Sequence, residues 1–239
     1  MTDPSTAAAP SEIDAAFQES VALLEVSDDV DETMRRVAAV ACTMIDGCEF
    51  CSVSELVASG IRTRGANDPR AEQVDRIQYD TQQGPCWVAA TEREPLVYTA
   101  DTSKDPRWPE FSRRTAAEVG IFSLLACRLV VGDPPRALGA LNMYAAGPDA
   151  FDGADMQVAM LLSAVTGVLL DASQREAQLT AALETRGLIG QAMGILMAQS
   201  DLTADEAFDQ LRTASQRMNI KLRDLARSIA ESNGGKREN

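Results

Sequence analysis

The sequence predicts an α+β domain, an antiparallel sheet with flanking helices, joined by a long helix to an all-α three-helix domain. Three observations predict this. Two strong apolar strand-like runs, Phe122–Val131 and Ala137–Ala145, are separated by the turn-forming Gly132-Asp133-Pro134-Pro135. A helical pattern runs from Ala154 past Leu183 with no proline or strong break. Thr203-Ala204-Asp205-Glu206 then forms a capping box ahead of another run of helical spacing.

The elements follow in order. Residues 1–11 are rich in Ala, Pro, Ser and Thr and are expected to form a disordered tail. Glu12–Val26 and Asp29–Ile45 read as helices; in the second, Val30, Met34, Val37 and Ala41 recur at helical spacing. Cys48–Val57 and Ile61–Arg64 suit a hairpin turning at Ser59-Gly60. Pro69–Ile77 suits a short helix. Gln83-Gly84-Pro85-Cys86 is a breaker that opens a helix through Ala90, since proline is tolerated in a first turn. Leu96–Ala100 reads as a strand and Trp108–Val119 as a helix.

Asp152 is placed to cap the long helix, with Asp155 at its third position. Leu162, Val165, Leu169, Ala172, Leu179 and Leu183 follow the alternating three- and four-residue spacing of a two-stranded seam, which predicts a homodimer. After Leu183 the pattern resolves into three helices. The first, Glu184–Gln199, carries Leu188, Ala192 and Ile195 on one face. The second carries Ala207, Leu211, Ala214 and Met218, widened by Phe208, and ends at Asn219. The third carries Leu222, Leu225, Ala226 and Ile229. The expected organisation is a domain over 12–150, a connecting and dimerising helix over 151–183, a helical domain over 184–233 and a flexible tail over 234–239.

Composition narrows the chemistry. The chain holds 22 basic and 36 acidic residues, a net charge of −14. Residues 184–239 hold eight of each and sum to zero, so the whole −14 belongs to residues 1–183. Within the neutral part, Leu211 to Arg227 contains five basic residues and one acidic, a local positive patch. Acids near helix starts and bases near helix ends would also stabilise helices with no ligand at all.

No histidine is present, which removes the commonest general base and the usual haem ligand. The five cysteines (Cys42, Cys48, Cys51, Cys86 and Cys127) are an odd number in a chain whose start has neither a basic segment nor an apolar run. Cys48 and Cys51 have C-x-x-C spacing, but a strand would send them to opposite faces, so no metal site is expected. No stretch reaches about 18 unbroken apolar residues, which predicts a cytoplasmic protein with no membrane span. No cofactor is expected, and the absence of a P-loop leaves nucleotide hydrolysis without support.

Two stretches resemble known families. QGPCWVAATEREPLVYTAD together with the paired strands SLLACRLVV and ALGALNMYA makes Ile13 to Leu170 similar to a GAF domain. That resemblance implies a sensor with a small-molecule pocket between sheet and cross-connecting helices, or a dimerisation scaffold. RGLIGQAMGILM from Arg186, DEAFDQLR from Asp205 and SQRMNIKLRDLA from Ser215 match the ANTAR family in order and spacing. One departure stands out: Met193 occupies the position where that family usually has a lysine.

The ANTAR resemblance implies a dimer that grips paired hairpin loops in nascent RNA and causes transcription antitermination by preventing a terminator from forming. It assigns Arg186, Arg212, Lys221, Arg223 and Arg227 to phosphate or base contacts, and Gln191, Ser215 and Asn219 to polar contacts with loop bases. Gly194 is assigned to close helix packing. The chain is thus expected to be a regulator and not an enzyme. The competing readings are a cysteine-dependent GAF enzyme of the free methionine sulfoxide reductase type, and a redox or ligand sensor that acts through protein partners without RNA. In both, Cys86, at a helix start, is the candidate thiol.

Overall fold

The computed structural model of the chain describes residues 29–234 and divides into two compact units, one ending at Ser173 and the other beginning at Gln174. The expected tail 1–11, the expected helix Glu12–Val26 and residues 235–239 lie outside the described residues.

The first unit opens with helix α1 (Val30–Met44), whose N-terminal cap Asp29 accepts a hydrogen bond from the Asp31 amide at 2.9 Å. Strands β1 (Phe50–Val57) and β2 (Gly60–Ala66) form the expected hairpin. Helix α2 (Pro69–Thr81) is capped by Asp68 and runs four residues past the expected end, until Gln82 turns left-handed at φ 53°. Helix α3 (Pro85–Thr91) follows Gly84, and β3 (Leu96–Thr99) follows that. Helix α4 (Pro109–Glu118) has no cap of its own; the Gln83 side-chain oxygen accepts from the Glu110 and Phe111 amides at 3.1 and 3.3 Å. Strands β4 (Ser123–Val131) and β5 (Arg136–Ala145) complete a five-stranded sheet of order β2-β1-β5-β4-β3, every neighbour antiparallel.

Strand alternation sends side chains to two separate cores. On one face Cys51, Val53, Leu125, Cys127, Leu129, Leu141 and Met143 pack with Met34, Val37, Ala38 and Ala41 of α1. On the other face Phe50, Leu124, Ala126, Ala140 and Tyr144 pack with Ala71, Val74 and Ile77 of α2, Cys86 and Ala89 of α3, and Phe111 of α4. Each fully buried leucine here contributes roughly 1.5–3 kcal/mol. Helices therefore cover both faces of an antiparallel sheet, an α+β arrangement. Gly139 sits where β5 meets β1 most closely: its φ is +155°, and an added Cβ would lie 1.8 Å from the Ser54 carbonyl oxygen. Only glycine fits there.

One long helix, α5 (Gly153–Ser200), contains residues of both units. Asp152 caps it by accepting from the Ala154 and Asp155 amides at 2.7 and 3.0 Å, while the Asp155 carboxylate accepts from the Asp152 amide at 3.0 Å. The expected boundary at 183/184 is absent from the helix itself, since nothing in Ala182–Arg186 interrupts helical hydrogen bonding. Part of this helix reaches a mean hydropathy of 1.5 over 18 residues, long and apolar enough by those measures to cross a membrane. Its Ala159, Leu162 and Leu170 nevertheless belong to the first unit's core, the pattern of a core helix.

Two of the six residues expected on the exposed row turn inward. Leu162 is buried and Leu169 is half-buried against the core, because the row Ala159-Leu162-Thr166-Leu170 is the one that the sheet takes. The exposed row is instead Leu161, Val165, Val168, Ala172, Glu176, Leu179, Leu183, Gly187, Gly190, Gly194 and Met197. This row keeps the 3.6-residue spacing of a straight helix. Leu161, Leu179 and Leu183 are 70, 62 and 58% exposed.

In the second unit α6 (Ala204–Met218) and α7 (Leu222–Gly234) join the end of α5. Thr203 and Glu206 make the expected capping box in full. The core is small: Ala192, Leu211, Leu225 and Ala226, with Leu188, Ile189, Met193, Leu196, Ala214, Leu222 and Ile229 packed around them. Three expectations fail here. Met218 and Phe208 are exposed, and Ser215 is buried in their place. Ile195 is outside the core, which uses Ile189, Met193 and Leu196 of that helix. Gly194 has open space around it among the described residues, with none of the expected close packing there.

Candidate RNA interface and a buried polar network

The turn between α6 and α7 sets the positive patch. Asn219 ends α6 in the left-handed conformation, at φ 52°. The Ile220 amide donates to the Ser215 carbonyl at 3.2 Å, and the Ser215 hydroxyl donates to the Ile220 carbonyl at 2.6 Å. The Lys221 carbonyl then receives the Asp224 and Leu225 amides at 2.9 and 3.2 Å, which starts α7. Ser215 was expected to contact a loop base. Its hydroxyl faces inward and ties the turn.

The remaining predicted residues reach solvent. Arg186 and Gln191 are exposed on α5, Arg212 on α6, Asn219 and Lys221 in the turn, and Arg223 and Arg227 one turn apart on α7. Arg212 pairs with Asp209 at 2.8 Å and Arg223 with Asp224 at 3.5 Å. Both pairs are exposed, where an ion pair is worth about 0–1 kcal/mol and yields readily to a phosphate. Arg186, Lys221 and Arg227 have no ion pair among the described residues. Neither has Arg217, an exposed cation of the same basic run. Met193 packs against the small core, so the departure from the usual lysine places an apolar side chain where a cation was expected.

In the first unit a polar network occupies the space between the sheet and α2–α3. Asp75 of α2 is fully buried, and burial pushes its carboxyl up to about 6 against the opposing pull of its hydrogen bonds. The Tyr144 hydroxyl donates to it, as do Thr63 Oγ1 at 2.7 Å and Asn142 Nδ2 at 3.3 Å. Asn142 Nδ2 also lies 3.1 Å from Ser52 Oγ and 2.7 Å from Ser54 Oγ, while Asn142 Oδ1 is buried with no hydrogen-bond partner. Tyr79 hydrogen-bonds Ser54 at 2.8 Å, and burial pushes its phenol well up. Gln78 accepts from the Cys86 amide at 2.8 Å and donates to Tyr144 at 3.3 Å.

Sequence reasoning missed this network. Its signal lay in β1 and β5, where Ser52, Ser54, Asn142 and Tyr144 alternate onto the same face as Phe50 and Ala140.

Cys86 stands at the edge of that network, 1% exposed and 3.3 Å from Ser54 Oγ. Burial, then the Asp75 charge, pushes its thiol well up. At 1% exposure the thiol is out of a substrate's reach, which argues against the candidate role. The C-x-x-C expectation also changes: Cys48 precedes β1 and joins Cys51 in the same core rather than on the opposite face.

The family model described as GAF domain matches residues 27–171, and the one described as ANTAR domain matches residues 177–229. No curated protein matches the chain. Among solved structures, it is similar to the GAF domain of an Acinetobacter phosphoenolpyruvate-protein phosphotransferase, with 13% identity and a TM-score of 0.54 over 71% of this chain and 99% of that one. The GAF domain of the corresponding Coxiella burnetii protein gives 12% identity and a TM-score of 0.53 over 70% and 96%. The bacteriophytochrome RpBphP3 of R. palustris gives 10% and 0.53 over 87% of this chain and 47% of that one. At these identities the likeness shows the fold.

Proposed function

Since the chain belongs to the GAF domain family and also carries an ANTAR domain, making it an RNA-binding type of regulator with a sensor-type domain, we propose that it binds paired hairpin loops in nascent transcripts and causes antitermination. The observation that carries this reading is the set of exposed cations around the α6–α7 turn. Arg217, Lys221 and Arg227 have no ion pair among the described residues, and Arg223 lies beside them in a chain that is otherwise acidic. Phosphates would gain from these side chains and be repelled by most of the remaining surface.

In this reading Arg186, Arg212, Lys221, Arg223 and Arg227 contact phosphate or base edges, and Gln191 and Asn219 contact loop bases. Arg217 joins the first group. Ser215 orders the turn. The protein acts in the cytoplasm as a homodimer whose seam is the exposed row on α5 from Leu161 to Met197. Among the described residues nothing occupies this leucine row, and a parallel copy offers a matching one. The GAF domain serves as sensor or dimerisation module, and its signal changes the spacing of the two RNA-binding units by altering the dimer. Such a switch requires two states that differ in RNA affinity.

The test is binding of labelled paired hairpins against scrambled RNA across a salt series. The parent is expected to prefer the hairpins and to lose affinity steeply with salt. Arg223→Ala and Arg227→Ala should each weaken binding and flatten the salt slope by about one counterion. Equal binding of scrambled RNA at moderate salt sinks the proposal.

A further inference from the structure

On the sheet face opposite the polar network, three thiols come together where α1 ends and β1 begins. Cys42 Sγ and Cys48 Sγ are 3.0 Å apart, and Cys51 is buried in the same core. Cys42 is partly exposed, while Cys48 and Cys51 are buried. The Asn67 side-chain amide donates to Cys42 Sγ at 3.2 Å, and the Cys48 thiol donates to the Phe50 carbonyl at 3.2 Å. We propose that Cys42 and Cys48 are a dithiol that hydroperoxides oxidise to an intramolecular disulfide, a modification site in the first unit.

The roles follow from access and hydrogen bonding. Cys42 is the sulfur that an oxidant can reach, and the Asn67 amide stabilises negative charge on it as its proton leaves. Its thiolate attacks one oxygen of a hydroperoxide ROOH; the O–O bond breaks, ROH departs after taking up a proton, and Cys42 becomes the sulfenic acid. The Cys48 sulfur, already in contact, then attacks the Cys42 sulfur. The S–O bond breaks, and hydroxide leaves as water with the proton from Cys48. Two thiols lose two electrons and two protons, and one hydroperoxide becomes ROH and water.

The setting makes this a slow, selective step. The contact with Cys48, then burial, pushes the Cys42 thiol well up. For Cys48 the hydrogen bond from Cys42 works downward, but the Cys51 thiol and burial outweigh it and hold it up as well. Few thiolates exist at neutral pH, so the site responds to sustained oxidant rather than to traces. Its position gives the bond something to act on. In the connector between the two cysteines, a Cβ added to Gly47 would lie 2.0 Å from the Ala150 carbonyl oxygen and 3.2 Å from the Phe151 ring. The connector is thus wedged against the segment that leads into α5.

The experiment uses the full chain. It is treated with hydrogen peroxide while folded, then denatured, alkylated and weighed. The expected product carries two fewer alkyl groups than the untreated chain, and weighed without alkylation it is lighter by about 2 Da. Cleavage after acidic residues cuts at Asp46 and Glu49, which separates all three cysteines, and should leave the Cys42 and Cys48 peptides joined. Cys42→Ser and Cys48→Ser should each abolish the bridge, and Cys51→Ser should leave it. Five intact thiols, a Cys42 carried to sulfinic acid, or a bridge from Cys48 to Cys51 overturns the assignment. The parent's peptide map decides the matter even where a serine variant fails to fold.

Discussion

The two units place their polar chemistry in opposite directions. In the first, the unusual groups are inside: Asp75, Asn142, Tyr144, Tyr79 and the thiols are buried or nearly so, between two extensive apolar cores. In the second, a cluster of four buried apolar residues, with Ala207 buried outside it, holds three helices together, and every arginine and lysine among its described residues from Arg186 to Arg227 is exposed. The difference teaches how substitutions should be read. A polar change in the first unit is a change in folding energy; a polar change in the second is a change in what the surface attracts.

The largest effect that would sharpen this contrast comes from the thin core. Leu211→Ala removes the central side chain of a four-residue cluster and should cost about 2–5 kcal/mol. Followed by helical circular dichroism against urea, the second unit should melt well before the first. A single unshifted transition would break the comparison.

Next is the buried carboxyl of Asp75. Its folded-state pKa is raised from 3.8 to about 6, so the folded state binds the proton more tightly than the unfolded chain does. The stability that this proton brings is full below about pH 4 and is lost as pH rises through about 6, a total of about 3 kcal/mol. Asp75→Asn keeps a neutral side chain throughout, so the stability difference between parent and variant should grow in the variant's favour over that window. Urea midpoints at pH 4, 5, 6 and 7 measure it, and a difference independent of pH would show that Asp75 does not titrate there.

The smallest effect lies where the two kinds of position touch. Ser215→Ala loses the hydroxyl that ties the α6–α7 turn and should cost about 1 kcal/mol while leaving hairpin affinity unchanged. Arg217→Ala should do the reverse, with stability held within about 0.5 kcal/mol and affinity reduced. Paired melting and binding measurements on both variants check the pattern. If Ser215→Ala weakens binding more than Arg217→Ala does, Ser215 belongs to the RNA surface after all.

The contrast also explains what was legible in the sequence. Turn residues, caps and alternation are local, so the hairpin, β4 and β5, the Asp152 cap and the Thr203–Glu206 box could be read directly. Exposed cations are legible too, because charge rarely goes inside without a partner. Three things escaped. Leu162 and Leu169 of the expected row turn inward because a sheet that sequence spacing cannot show selected the Ala159–Leu170 row. Ser215 was read as a polar surface residue because its acceptor, the Ile220 carbonyl, comes close only once the turn has formed. The Asp75 network joins residues up to 90 positions apart, and nothing local marks an aspartate as buried.

Gly139 carries a consequence for inheritance. It stands opposite Glu55 in the β1–β5 pairing, next to the Ser54–Ala140 and Ser52–Asn142 pairs. Any larger side chain would force the two strands apart, and a slip of one residue would carry Asn142 and Tyr144 to the wrong face of the sheet. A change at Ser52, Ser54 or Asp75 alters the hydrogen bonds of the interior at a cost in stability but leaves the strand register in place. Descendants of this chain are not free to vary residue 139. A single backbone hydrogen atom in place of a methyl group is the founder condition on which the diversity of the whole interior depends.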